Sequence, residues 1–482
     1  MAELQPAGRT DISRRMVAEM NGPEIEIHSE TSRIRAALVN TGLHSFAEAE
    51  EKLAESRLTI AIADEAACTP AGQAALLTAA LTATRCFGRV SIQGSLDEAL
   101  LCPVPIDATS LAEAADFLGA STGPLRESAP KILIGADLES GDGWSVQAHW
   151  DGWRAGVAPG RNPQAIGRGD CTLAGVAAGA LAVGQAFLAE QGDIRAGRLT
   201  QSLSLWSPQL GEEGGAQPGP TLNQIGLPRD LWFIGLGNLG QSYLWSLTML
   251  PYSSPEQVML FLQDDQLVGK ENWGTSILVQ RGKYGILKTR VAEDWALARG
   301  FQVRRIDRRL DTNLFRSGME PGIALAGLDR MPARRLLGHR GFEYIIDAGL
   351  GATVETYRRF RVNVFDSAGN PADHFQGVED QAEVAQKLLQ LPAYQDVAQN
   401  HADSGCGAAM LADIAVAVPF VSAFVGALSI TQAIRIASGE AHHVGLTGDT
   451  GDLKTVRAVP GQRRQRVTVG NVPATSSGCT EG

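Results

Sequence analysis

Three glycines in GxGxxG spacing, Gly235, Gly237 and Gly240, follow the apolar run Leu231–Ile234 and precede a helix-forming stretch. Glycines let a backbone approach phosphate oxygens closely. A helix start adds unpaired N–H groups and a partial positive charge. A second apolar run, Val258–Leu262, leads to Asp264, where an acid can hold ribose hydroxyls. The segment therefore reads as a nucleotide site. Three more polar residues follow. Asn272 lies eight residues after Asp264, Lys288 lies sixteen after Asn272, and Asp329 ends another apolar run. These three and Asp264 each have an ordinary structural reading as well: Asp264 as a turn residue, Asn272 as a loop cap, Lys288 as a solvated helix lysine, Asp329 as a helix N-cap.

The elements that must carry these residues occur twice. Leu58–Ala63 reads as a first strand, like Leu231–Gly235, and KILIGAD (Lys131–Asp137) reads like IALAGLD (Ile323–Asp329). Gly175–Asp193 lies on Ser422–Glu440 without a gap, matching Gly179, Ala180 and Leu181 to Gly426, Ala427 and Leu428. Strand–helix alternation of this kind predicts α/β halves with parallel sheets covered on both faces. The first half has Asp64-Glu65-Ala66-Ala67-Cys68 where the second has its glycine turn, and carboxylates there would repel a phosphate. The predicted organisation is an N-terminal helical extension (1–57), a nucleotide-free half (58–209), a Gly/Pro/Glu-rich linker (210–228) and a nucleotide-binding half (229–482).

Bulk properties exclude several classes. A chain of 482 residues with 44% hydrophobic and 20% charged content is ordinary globular protein of two or three domains. The net charge of −11 argues against a general nucleic-acid binder, and the run Arg304, Arg305, Arg308, Arg309 reads as a solvated edge rather than a phosphate tract. The six cysteines form no C-x-x-C pair, which weakens a structural zinc site and a disulfide framework and suits a reducing cytoplasm. The N-terminus lacks the apolar core of a signal peptide. Ala408–Ile436 is long and apolar but contains Asp413 and Pro419, so buried core helices fit better than a membrane span.

The set Gly235, Gly237, Gly240, Asp264, Asn272, Lys288 and Asp329 resembles the active adenylation domain of ubiquitin-activating enzymes and of their bacterial ThiF-like adenylyltransferase relatives. The resemblance covers about residues 229–365, and the duplicated layout extends it. It is similar to the single-chain activating enzymes of bacterial ubiquitin-like conjugation operons. The implied fold is a pair of tandem Rossmann-like adenylation domains, an inactive N-terminal half and an active C-terminal half, forming a pseudo-dimer. The implied substrates are ATP with Mg²⁺ and a ubiquitin-like protein, with a ubiquitin-conjugating-type enzyme as acceptor. Nucleic acid and membrane are not implied as partners, and a homodimer is open. On this resemblance Asp264 holds ribose, Asn272 and Lys288 contact phosphate oxygens, and Asp329 holds Mg²⁺. An antiviral setting rests on the same resemblance.

The sequence departs from the family at Thr275, where an arginine commonly stands three residues after the asparagine; Arg281 is a candidate replacement. Relatives also carry an early arginine that reaches the partner's ATP site, and ISRRM (Ile12–Met16) resembles that segment, with Arg15 first and Arg14 next. Activating enzymes move the acyl group onto a cysteine. Cys406, in HADSGCGAAM at the end of a crossover segment near 366–407, is the candidate; a helix start there would favour the thiolate. Cys171 has a similar place in the first half, and Cys68, Cys86 and Cys102 read as core thiols. The rival readings are an adenylyltransferase without a thioester step (sulfur-carrier activation), an NAD-dependent Rossmann oxidoreductase, and a binding scaffold with a vestigial pocket.

Overall fold

The computed structural model describes residues 29–39, 45–123, 129–136, 138–210, 219–338, 340–351, 353, 355–367, 369–376, 390, 392, 395–396, 416–462 and 470–475. Strands β1 (Arg57–Ile62), β2 (Arg89–Gly94), β3 (Ser121–Thr122), β4 (Lys131–Ile134), β5 (Ser145–Asp151), β6 (Arg154–Pro159) and β7 (Gln201–Ser204) form one sheet in the order β3-β2-β1-β4-β5-β6-β7. A short β8 (Gly226–Pro228) precedes the second sheet. There β9 (Asp230–Ile234), β10 (Met259–Gln263), β11 (Gln302–Ile306), β12 (Ile323–Ala326), β13 (Tyr344–Leu350), β14 (Arg359–Phe365), β15 (His443–Asp449) and β16 (Asp452–Pro460) are ordered β11-β10-β9-β12-β13-β14-β15-β16. The first seven positions repeat the first sheet strand for strand.

Pairing is parallel from β3 to β5 and from β11 to β13, as the alternation predicts. It turns antiparallel at β6 and β14, a correction to the all-parallel expectation. The reason is connectivity: β5 and β6 are joined by a tight turn at Gly152 (φ +53°), which reverses direction without a crossover helix. β9 lies between β10 and β12, so the chain leaves its neighbouring strands towards opposite sides and opens a crevice at their carboxyl ends.

Seven helices of eight or more residues occur among the described residues. They are α1 (Ser32–Val39), α2 (Phe46–Glu55), α3 (Pro70–Cys86), α4 (Thr172–Glu190), α5 (Asn238–Thr248), α6 (Lys288–Ala298) and α7 (Pro419–Ala437). The gap-free alignment of Gly175 on Ser422 also lays Thr172 on Pro419 and Glu190 on Ala437, the observed ends of α4 and α7. Both helices are long and apolar enough to cross a membrane by length and composition, and both are packed inside the protein (89% and 100% buried). Their small residues explain the packing. A Cβ at Gly175 would meet the Ala71 carbonyl oxygen of α3 at 2.0 Å, and one at Gly426 would meet the Ser242 carbonyl oxygen of α5 at 2.5 Å. Across the halves Phe187 packs on Phe420, ring centroids 5.5 Å apart, and Trp245 Nε1 donates to Thr78 Oγ1 at 3.0 Å.

One apolar core runs through both halves on the helix side. Strand alternation in the second sheet fills a second core on the opposite face: Leu231 and Phe233 face the first, Trp232 and Ile234 the second.

Buried titratable groups give this core a pH signature. Burial holds His149 and His443 down at about 4, below the 6.5 of a free imidazole. The unfolded chain therefore takes up two protons that the folded chain refuses. The corresponding stability is complete above pH 6.5 and is lost as pH falls towards 4. Asp347 opposes this, because burial raises it to about 6 from 3.8, so the folded chain holds one extra proton between those values. Two protons against one leave a net slope of about 1.4 kcal/mol per pH unit in the overlap. The urea midpoint is expected to fall steadily from pH 6.5 to 4.5. A midpoint that stays flat or rises towards acid would show that the histidines do not outweigh Asp347.

Candidate nucleotide-binding site

The glycine turn links β9 to α5, and its three glycines serve different needs. Gly235 has φ +84°, and a Cβ there would meet the Gly327 carbonyl oxygen at 2.8 Å. A Cβ at Gly240 would strike the Gly235 carbonyl oxygen at 2.0 Å, so this glycine lets α5 close on the turn. Among the described residues nothing lies within 4 Å of a Cβ position at Gly237 and no side chain caps the α5 start, which leaves the approach to that helix N-terminus open.

The crevice beside this turn is a cavity of about 260 Å³. Gly235, Gly237, Asp264, Asn272, Lys288 and Asp329 all line it, so six of the seven core positions singled out in the sequence meet in one place; Gly240 stands behind the turn. Asp264 accepts from the Leu236 N–H (2.7 Å) and the Gln266 N–H (2.8 Å), one bond per carboxylate oxygen, leaving lone pairs for a hydroxyl ligand. Its turn role and a ligand role are thus compatible. Asn272 Oδ1 accepts from the Gly269 N–H at 2.9 Å, the loop-cap role, while the residue also faces the cavity. Lys288 is only 7% exposed, which removes the solvated-lysine reading. Its Nζ donates to Gln266 Oε1 at 2.6 Å. Burial lowers its pKa and Asp264 opposes that, with Arg33 lowering it further and Asp329 raising it. Asp329 does not cap the following helical turn; Arg330 occupies that position.

Three residues not anticipated from the sequence enter the cleft. Arg33 comes from α1, ahead of the first half. Its Nε is buried without a hydrogen-bond partner among the described residues, and burial lowers its pKa against the pull of Glu271 and Asp329. Asn238, at the start of α5, has both amide atoms buried and Ser276 has its Oγ buried, and among the described residues none of the three atoms has a hydrogen-bond partner. Buried polar groups without partners cost stability unless something supplies the missing bonds, and here all three converge on one cavity. The signals were present but faint. Asn238 is an unspecified position of GxGxxG. Arg33 sits in TSRIR, a second arginine pair whose threonine and serine mark a helix start.

Other expectations have mixed outcomes. Arg281 does not line the cleft; its Nε pairs with Glu30 Oε2 at 2.7 Å and its guanidinium lies over Trp273. The four clustered arginines pair with carboxylates: Arg304 with Glu320, Arg305 with Glu293 and Asp307, Arg308 with Asp311, Arg309 with Asp265. Arg308 and Arg309 nevertheless border the cavity. Cys68 is exposed rather than a core thiol, whereas Cys86 and Cys102 are buried. Cys171 caps α4, yet burial dominates the helix start and pushes its thiol up to about 12. Arg14, Arg15 and Cys406 lie outside the described residues.

The first half offers a contrast at the corresponding turn. Glu65 Oε1 accepts the Ala136 N–H at 2.9 Å, and the Asp64 carboxylate accepts from the Ser95 hydroxyl. Ala136 follows β4 as Leu328 follows β12. A side chain of the protein thus fills the place that the second half leaves open.

Fold and site define a tandem α/β protein with one polar cleft beside the glycine turn of its second half. A family model for the BilD N-terminal domain matches residues 57–205 and one for the BilD C-terminal domain matches residues 227–440. The bacterial E1-like protein BilD of Collimonas sp. (strain OK412) is 33% identical over 438 residues, covering 89% of this chain and 93% of that one. The chain belongs to the BilD family of bacterial E1-like proteins. Among solved structures, E. coli MccB with succinimide is similar at 13% identity and a TM-score of 0.34, and MccB with ATP at 12% and 0.32. In both, the match takes in 52% of this chain and 66% of that one, just under two thirds of its length.

Proposed function

We propose that this chain uses ATP to activate the C-terminal carboxylate of a ubiquitin-like protein. The carrying observation is the convergence of Arg33, Lys288 and the unpartnered Asn238 and Ser276 on the cleft beside the glycine turn. Membership of an E1-like family supports the choice of reaction class. A carboxylate oxygen attacks the α-phosphorus, the bond to the β-phosphate bridging oxygen breaks, and pyrophosphate leaves. Both reactants are anionic, so catalysis is charge neutralisation and alignment, which two cations and a helix start can supply.

Asp264 takes the ribose hydroxyls in this reading. Among the described residues no three His, Cys, Asp or Glu side chains gather for a metal. Mg²⁺ needs only one or two carboxylates when phosphates and water complete its shell, and Asp329 fits that demand. The Mg²⁺ ion would supply charge neutralisation on the phosphates. The first half is then a structural partner whose own turn is filled by Glu65.

The second step of the proposal transfers the acyl group from the adenylate to Cys406: the thiolate sulfur attacks the acyl carbon and AMP leaves. A ubiquitin-conjugating-type enzyme would accept the thioester. ATP–pyrophosphate exchange with candidate ubiquitin-like proteins, run beside a non-reducing gel, tests both steps. Carrier-dependent exchange with a thiol-sensitive adduct is expected, and Cys406→Ala should keep the exchange and lose the adduct. An adduct that survives Cys406→Ala would move the thioester elsewhere. Exchange without any adduct would leave a pure adenylyltransferase.

A further inference from the structure

The segment Trp273–Tyr284 supplies Thr275 and Ser276 to one wall of the cleft, and it is gripped from outside its own half. Buried Arg85 of α3 donates to the carbonyl oxygens of Trp273 (2.5 Å), Ile277 (2.7 Å) and Val279 (3.2 Å). Glu30, just ahead of α1, reaches the same segment. Arg281 Nε stands 2.7 Å from its Oε2, and the Tyr284 hydroxyl donates to its Oε1. Arg281 is itself held over Trp273, 4.0 Å from the ring centroid. Backbones also meet here, since a Cβ at Gly274 would come within 2.6 Å of the Glu30 carbonyl oxygen.

Less than one helical turn separates Glu30 from Arg33. Arg33 Nε has no protein partner among the described residues, so that atom is not what fixes the side chain at the cleft. Its position follows from the first turn of α1. That turn is tied on one side to α2, where Thr31 Oγ1 donates to Glu50 Oε2 at 2.9 Å, and on the other side to the second half by Glu30.

We propose that Glu30 is a positioning residue: clamped by Arg281 and Tyr284, it sets Arg33 against the bound nucleotide. This rests on the adenylation reading above. It also gives Arg281 a role. The residue does not replace the arginine absent at Thr275; it holds the element that brings another arginine in.

The test is calorimetric titration of the full chain with Mg-ATP, which needs no carrier. Glu30→Gln keeps the side-chain shape and removes its charge. It is expected to weaken ATP binding about fivefold, the scale of one partly screened ion pair. Tyr284→Phe should weaken it less. In an Arg33→Ala background, Glu30→Gln should add nothing, because the residue it positions is gone. Unchanged binding by Glu30→Gln in the natural background overturns the proposal. So does an equal loss in the Arg33→Ala background, which would mark a merely structural role. A natural chain that binds no ATP overturns the adenylation reading itself.

Discussion

Asp329→Ala is expected to lower ATP–pyrophosphate exchange by at least about 10²-fold, the scale seen when a group stabilising transition-state charge is removed. Two effects act together. The carboxylate assigned to Mg²⁺ is lost, so the phosphates meet fewer positive charges. The local balance also shifts, because Asp329 raises the pKa of Lys288 against the burial that lowers it. Without Asp329 the ammonium becomes easier to deprotonate as pH rises. Asp329→Ala should therefore lose residual exchange at a lower pH than the natural chain does. Folding should survive, since Asp329 caps no helix. Exchange within a few-fold of the natural chain would show that the metal and phosphate roles lie elsewhere.

Arg33→Ala should cost about 10²–10³-fold in exchange, somewhat below the 10³–10⁵ of a full trans-acting arginine in phosphoryl transfer. The guanidinium is delivered by α1 from outside the second half, and Lys288 shares the charge load. Burial of a cation that lacks a protein partner at Nε costs stability, so the free protein should melt no lower without it. Lost activity with unchanged or improved melting is the signature of a ligand-binding residue. Arg33→Lys should recover little, because an ammonium cannot reproduce the planar fork. Normal exchange in Arg33→Ala with loss in Arg15→Ala would return the role to the ISRRM segment.

Much of this was legible along the chain because its signals are local. GxGxxG between an apolar run and a helix start sets a turn, and Asp264 at the end of the next strand stands beside it through ordinary parallel pairing of β9 and β10. The repeat of Gly175–Asp193 on Ser422–Glu440 fixed the register between two equivalent helices, though each begins three residues earlier, because small-residue spacing is what close helix packing requires. The reversal at β6 and β14 was less visible, since strand periodicity carries no direction.

Burial and long-range pairing were not legible. Lys288 and a surface lysine look alike in sequence; only the folded surroundings strip water from one of them. Cys68 reads as a core thiol and is exposed, while Cys171 at a helix start is buried, because exposure depends on packing from distant segments. Arg281 was near enough in sequence to substitute for the residue missing at Thr275, yet Glu30, over 200 residues upstream, claims it. The sequence by itself determined the two-half α/β design and the glycine-turn residues, because short-range backbone preference and periodicity specify them. The tertiary structure alone decided that Arg33 completes the cleft and that Glu65 fills its counterpart. Both outcomes depend on contacts between segments far apart in the chain, and no local preference encodes those.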